Sequence, residues 1–159
     1  MWANETLGIG CELTVCKMMG WRRTMWADDT GLPWVMPSPN LPSLDTATVY
    51  PGACFVEGTN VSEGRGTTRP FELIGAPWID GRALADLLND LGLAGCRFRP
   101  VFFEPRFSKH AGQVCGGVQI HVLDRDVFRP VRTGVHILAA ICKLCPDRFQ
   151  WIGTPEQQA

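Results

Sequence analysis

The densest run of side chains able to do chemistry is Glu57-Gly58-Thr59-Asn60-Val61-Ser62-Glu63-Gly64-Arg65-Gly66-Thr67-Thr68-Arg69-Pro70-Phe71-Glu72. Glu57, Glu63 and Glu72 can supply carboxyls for acid/base work. Asn60, Ser62, Thr67 and Thr68 offer the mixed donors and acceptors that sugar hydroxyls require. Arg65 and Arg69 can clamp an anionic substituent through two parallel hydrogen bonds, or lower the pKa of a neighbouring carboxylate. The glycines between them let the backbone approach a ligand closely. Two other uses of the same residues stay open. One is a turn whose Arg–Glu pairs merely tie it down. The other is a phosphate cradle at Gly64-Arg65-Gly66-Thr67-Thr68, although this lacks the Gly-Lys-Ser/Thr ending of a P-loop and the spacing of a dinucleotide site.

Further candidates lie downstream. His110 follows Phe107-Ser108-Lys109 in a loop from which it can reach a cleft. His121 alternates with Val118, Ile120 and Val122, so it points the opposite way, beside Gln119, into solvent or a polar pocket. His136 reads as a helix-surface residue. Cys142-Lys143-Leu144-Cys145 invites a redox or metal reading, but no second cysteine pair stands at zinc spacing, so buried thiols are expected and no metal site. The seven cysteines are an odd, scattered set, which argues against a disulfide framework. Trp residues in a long loop are read as its anchors, with stacking on sugar rings as the other use.

Position must come from the elements around these residues. The apolar run Ala53-Cys54-Phe55-Val56, bounded by Gly52 and Gly58, is expected to be a buried strand, which would put the polar stretch at a strand's carboxyl end, where α/β sheets bind ligands. Cys11 to Lys17 alternates and reads as another strand, preceded by the frayed end of a helix at Asn4–Gly8. Gly20 to Gly52 is a long irregular stretch rich in Pro, Asp and Trp, with Ser43 able to cap a short helix. A boundary is expected at Pro77. Beyond it Asp80 can cap a helix carrying Leu84, Leu87, Leu88 and Leu91, which Gly92 ends. Cys96–Phe103 and the segment around Val118–Val122 read as strands. Pro130 can open a last helix, with Val131, Val135, Leu138, Cys142 and Cys145 on one face until Pro146. The second half is therefore a small α+β unit, and the chain as a whole is α/β.

Composition removes several function classes. The 159 residues carry 15 Lys plus Arg against 16 Asp plus Glu, a formal charge of −1, with 45% apolar and 19% charged residues. That balance leaves no electrostatic footprint for nucleic acid or an anionic membrane, and enough apolar side chains for a core. No apolar run approaches the ~20 residues of a membrane-spanning helix, so no span is expected. No basic segment followed by an apolar one opens the chain, so no signal peptide is expected. Twelve of the 15 basic residues are Arg.

Longer strings resemble a known family. Gly20-Trp21-Arg22-Arg23, Thr30-Gly31-Leu32-Pro33-Trp34-Val35, Ser38-Pro39-Asn40, Tyr50-Pro51-Gly52, the whole Glu57–Glu72 stretch, Gly75-Ala76-Pro77-Trp78-Ile79-Asp80 and Phe107-Ser108-Lys109-His110 resemble the NamZ-like exo-β-N-acetylmuramidases. The resemblance runs from about Cys11 to Trp151. It implies a glycoside hydrolase that removes N-acetylmuramic acid from the non-reducing ends of peptidoglycan fragments, with no cofactor. It also implies a Rossmann-like domain followed by a smaller α+β domain, here as residues 1–76 and 77–159, with a cleft between. Family members are longer at both ends, so the chain is expected to be an interior fragment without the region of the family's proposed catalytic glutamate. A non-catalytic muropeptide-binding fragment is the alternative. Glycoside hydrolysis generally needs two carboxyls, and Glu57 and Glu63 are the catalytic candidates for one of them, paired with a carboxyl absent from this chain. Asn60, Ser62, Arg65, Thr67, Thr68, Arg69, His110, Gln119 and His121 become the substrate-binding candidates, with Arg65 or Arg69 taking the lactyl carboxylate. The partner implied is a muropeptide or sugar. Relatives often act outside the cytoplasm, which leaves localisation open.

Overall fold

A computed structural model describes residues 1–153. The chain divides into two compact units, Met1–Pro33 and Trp34–Ala159. The first contains a five-residue helix, α1 (Trp2–Thr6), and a 3-10 turn at Ala27–Thr30. None of its residues is buried. The strand expected at Cys11–Lys17 does not form. Strands need a neighbour to satisfy their backbone groups. Here Cys11 bonds instead to the Asn4 side chain, whose Oδ1 accepts from Cys11 N at 2.9 Å while its Nδ2 donates to Cys11 O at 3.0 Å.

The second unit holds the core. Helix α2 (Leu44–Ala53) starts at Ser43, whose Oγ accepts from Thr46 N at 3.2 Å. The strand expected at Ala53–Val56 is instead the end of α2 and a following 3-10 turn, Cys54–Gly58. Its apolar residues continue a helical period: Val49, Ala53 and Val56 are all buried, at i, i+4 and i+7. A four-residue apolar run cannot reveal that period by itself.

Three strands, β1 (Leu73–Ala76), β2 (Cys96–Phe103) and β3 (Cys115–Val122), form an antiparallel sheet in the order β1-β3-β2. The mixed α/β class expected from sequence holds. Residue 76 is not a break in packing, since β1 ends there and pairs with β3 from Leu73↔Gln119 to Ala76↔Gly116. Helix α3 (Gly81–Asp90) is capped as expected, Asp80 Oδ1 accepting from Arg82 N and Ala83 N. Leu84 and Leu88 are buried, and Leu91 is exposed beyond the helix end. Helix α4 (Pro130–Leu144) opens at Pro130, again as expected. Its buried face differs from the expected one: Thr133, Gly134, Ile137, Leu138, Ala140 and Ile141 face inward, while Val131 and Val135 lie exposed. Gly134 decides the rotation, because its Cα packs against the Gly52 backbone where α2 and α4 cross.

Both outer edges of the sheet are partly covered. Beside β1, Ser62 and Gly75 exchange backbone hydrogen bonds at 2.8 and 3.0 Å. Along β2, the Asn89 side chain donates to Phe98 O at 2.8 Å and accepts from Phe98 N at 3.0 Å, and Pro100 has no N–H to offer. Among the described residues no helix is long and apolar enough to cross a membrane.

Candidate functional site

The polar stretch after the 3-10 turn at Cys54–Gly58 folds back on itself, and its charged residues separate into two groups. The first is a ladder of alternating charge. Lys109 Nζ donates to Glu63 Oε2 at 2.9 Å and to the carbonyl oxygens of Val56, Glu57 and Val61 at 3.0, 3.2 and 3.0 Å. Glu63 Oε1 faces Arg65 Nε at 3.2 Å, and Arg65 NH2 reaches Glu57 Oε1 at 2.5 Å. The Arg65 guanidinium also lies 5.1 Å over the buried Phe71 ring. Glu63 is 2% exposed, enclosed by two cations, whereas Glu57 stays open to solvent.

Lys109 reaches this position through a strained loop. Ser108 and His110 on either side of it have φ of 70° and 58°, a region that costs a non-glycine residue energy and tends to persist at functional positions. Arg106 N donates to Gly66 O at 2.9 Å, and Gly66, with φ 83°, lies so close to the Arg106–Phe107 backbone that a Cβ there would come within 2.6 Å of Phe107 O. The loop after β2 therefore clamps the turn.

Several candidates are spent holding this clamp. His110 Nε2 lies 2.8 Å from Asn60 O, so Nε2 carries the proton. The Asn60 side chain donates to Arg148 O at 2.8 Å and accepts from Gln150 N at 3.0 Å. Ser62 Oγ accepts from Gly64 N, and Thr67 Oγ1 donates to Gly64 O at 2.6 Å and accepts from Arg69 N. Thr68 is exposed on the turn.

The second group borders a groove of about 220 Å³ whose polar lining is Asp45, Arg69, Glu72, Gln119 and His121. Glu72 is buried; its Oε1 accepts from Thr46 Oγ1 at 2.7 Å and its Oε2 faces Arg69 NH1 at 3.2 Å. Asp45 lies 3.8 Å from the same nitrogen. The register Arg99↔Gln119 sets Arg99 opposite Gln119 and diagonal to His121. Arg99 NH2 donates to Gln119 Oε1 at 2.5 Å, and its Nε donates to His121 Nε2 at 3.3 Å.

Thus Arg69, Gln119 and His121 share the groove, while Glu57, Glu63, Arg65, Asn60 and His110 belong to the clamp. Sequence reasoning overlooked Lys109, Thr46 and Arg99. For Arg99 a signal existed, since alternation along Cys96–Phe103 puts Arg97 and Arg99 on one face of a strand. For Lys109, partners 46 to 53 residues away left none. All seven cysteines are free. Burial pushes the Cys115 thiol up to about 11 and also raises Cys96, Cys142 and Cys145. Cys145 packs against the core and Cys142 is half-buried, which suits structural thiols. No three His, Cys, Asp or Glu side chains converge as metal ligands among the described residues.

The family profile for the C-terminal part of the exo-β-N-acetylmuramidase NamZ matches residues 48–158, and that for its N-terminal part matches residues 1–45. The chain belongs to the NamZ exo-β-N-acetylmuramidase family. A NamZ relative from Bacillus subtilis (strain 168), the peptidoglycan β-N-acetylmuramidase NamZ, is 50% identical over 151 residues, 95% of this chain. The chain spans 36% of that relative's length. A crystal structure of a DUF1343 family protein from Bacteroides fragilis superposes with a TM-score of 0.78 at 34% identity, over 83% of this chain and 35% of that one. Both the ladder and the groove lie within the part matched to the NamZ C-terminal profile, apart from Asp45 and Thr46.

Proposed function

We propose that this chain is the amino-sugar-holding part of a peptidoglycan glycoside hydrolase that releases N-acetylmuramic acid from the non-reducing ends of peptidoglycan fragments. The observation that carries the reading is the 50% identity, over 95% of the chain, to a peptidoglycan β-N-acetylmuramidase. The groove supports it physically. Gln119 and His121 offer the neutral donors and acceptors that sugar hydroxyls and an acetamido group need, and the surrounding charges are fixed in pairs instead of being left to rearrange. On this reading the residues before the sheet are the end of a Rossmann-like domain.

Glycoside hydrolysis takes two carboxyls with different environments. Of the ladder's two carboxylates, Glu57 is the one open to a substrate. Glu63 serves as its support, holding Arg65 and Lys109 in line. The second carboxyl then comes from the portion of family members that lies outside these residues. A second reading, a module that binds muropeptide ends without cleaving them, is favoured by one observation: Glu57, Glu63 and Glu72 all stand in ion pairs.

One experiment separates the readings. The purified chain is incubated with a chromogenic glycoside of N-acetylmuramic acid and, in parallel, titrated with the free sugar. Release of the chromophore establishes the hydrolase, and loss of release in Glu57→Gln assigns the carboxyl. Binding without release that persists when the remaining portion of a family member is joined to the chain establishes the module, whereas release gained by that addition establishes the hydrolase part. Neither binding nor release overturns both.

A further inference from the structure

We infer that Arg99 is the anion receptor of the groove, taking the carboxylate of an acidic amino sugar, and that Arg65 and Arg69 are structural. This deepens the reading above and rests on it for the sugar, though not for the anion.

The three arginines differ in where their charge is spent. Arg65 lies between Glu57 and Glu63, and Arg69 between Glu72 and Asp45, so each already faces two carboxylates. Neither has net charge to offer an anion without releasing a buried glutamate. Arg99 differs in kind. Its two partners, Gln119 Oε1 and His121 Nε2, are neutral acceptors, and no carboxylate lies within ion-pair distance of it among the described residues. Its positive charge is therefore uncompensated while its position is fixed.

The choice of nitrogens also matters. A guanidinium has five N–H groups in a rigid plane. Nε and one NH2 proton form its side edge, which is consumed by the two residues on β3. The end edge, one proton each from NH1 and NH2, remains as a two-pronged fork matching the spacing of a carboxylate's oxygens. Arg99 is exposed and is not itself part of the groove's lining, but both residues bracing it are, so its guanidinium is held next to the groove. Arg97, exposed on the same strand face opposite His121, adds positive potential without a carboxylate of its own. N-acetylmuramic acid differs from N-acetylglucosamine by a lactyl ether ending in a carboxylate. A pre-braced fork beside a pocket whose own charges, Arg69 with Glu72 and Asp45, are already paired is what would distinguish the two sugars, because the acidic one makes a charge-assisted pair that the other cannot.

The test is a titration of the full 159-residue chain, with N-acetylmuramic acid, N-acetylglucosamine and D-lactate. Affinities are measured by calorimetry, and the arginine Nε–H resonances are followed by NMR in the wild type, Arg99→Ala and Arg99→Lys. Arg99→Ala should weaken N-acetylmuramic acid about tenfold or more, as losing a charged hydrogen-bond pair does, and leave N-acetylglucosamine unchanged. Arg99→Lys, which keeps the charge and the fold but not the fork, should recover only part of the loss. An Arg99→Ala chain that binds N-acetylmuramic acid as tightly as the wild type overturns the inference and leaves the sugar reading standing. If D-lactate shifts the Arg99 Nε–H signal while neither sugar binds, the anion receptor stands and the sugar reading fails. If no ligand perturbs Arg99, the inference falls.

Discussion

Lys109 meets more acceptors than it has protons. Three carbonyl oxygens and one carboxylate oxygen surround its ammonium within 3.2 Å, three of them from the segment that leads into the polar turn. Removing it leaves the buried Glu63 with Arg65 alone and strands three backbone acceptors at the same time, and breaking a buried ion pair from one side costs on the order of 3–5 kcal/mol. Lys109→Met should therefore lower stability by about 3 kcal/mol or more, read from the urea midpoint at unchanged m-value. Glu63→Gln, which keeps one acceptor for Lys109, should cost less. An equal or smaller loss in Lys109→Met would mean that Lys109 is not what closes the ladder. Sequence made the charges of the turn legible but not their pairing. Glu57, Glu63, Arg65 and Arg69 lie within 13 consecutive residues, and spacing in a loop does not say which carboxylate each arginine meets. Lys109, which completes the ladder, arrives from another loop, and that Arg65 is taken by Glu57 and Glu63 shows only in the folded turn.

Among the elements, the crossing of α2 and α4 is set by two glycines. A Cβ on Gly52 would collide with the Pro130 carbonyl oxygen, and one on Gly134 with the Gly52 carbonyl oxygen. Gly58, six residues after Gly52, has open space around it and an ordinary backbone conformation. Gly52→Ala should thus lose about 2 kcal/mol or more by forcing the helices apart, while Gly58→Ala should be neutral or gain about 0.5 kcal/mol by stiffening the unfolded chain. Thermal melts of the two variants decide it, and equal melting temperatures would refute the close-packed crossing. Local signals explain which elements sequence could reveal. Ser43, Asp80 and Pro130 mark helix starts through chemistry within one turn, and the alternation of Cys96–Phe103 is long enough to fix a strand. Cys11–Lys17 also alternates, yet no backbone partner is there to make it a strand. Val131 and Val135 fit a helical stripe as well as Ile137 and Ile141 do, and only the glycine contact across to α2 selects the buried one.

At the scale of the whole molecule, thiol chemistry reports the division into a unit without buried residues and a unit with a core. Cys11 and Cys16 are exposed, whereas Cys96 and Cys115 are buried with raised thiol pKa values. Iodoacetamide at pH 8 should label Cys11 and Cys16 within minutes and leave Cys96 and Cys115 until denaturant is added, as peptide mass spectrometry would read directly. Because the folded state holds the Cys115 thiol near 11, above its ordinary value of 9.0, its contribution to stability is complete below that ordinary value. It fades as pH climbs from there toward 11, since the unfolded chain ionises first. The unfolding midpoint should fall across that interval, and less steeply in Cys115→Ala.

The partial cover on both sheet margins has a consequence for assembly. A β-sheet recruits further chains through unpaired backbone groups along its flanks. With Ser62 latched to one flank, and an asparagine amide imitating a neighbouring strand at Phe98 on the other, two residues from a proline, the template left for growth narrows to the exposed end of β2 around Phe102. Widening that template along β2 would require α3 to peel away and withdraw Asn89, so how much of this flank a second chain can reach is set by the anchoring of one helix.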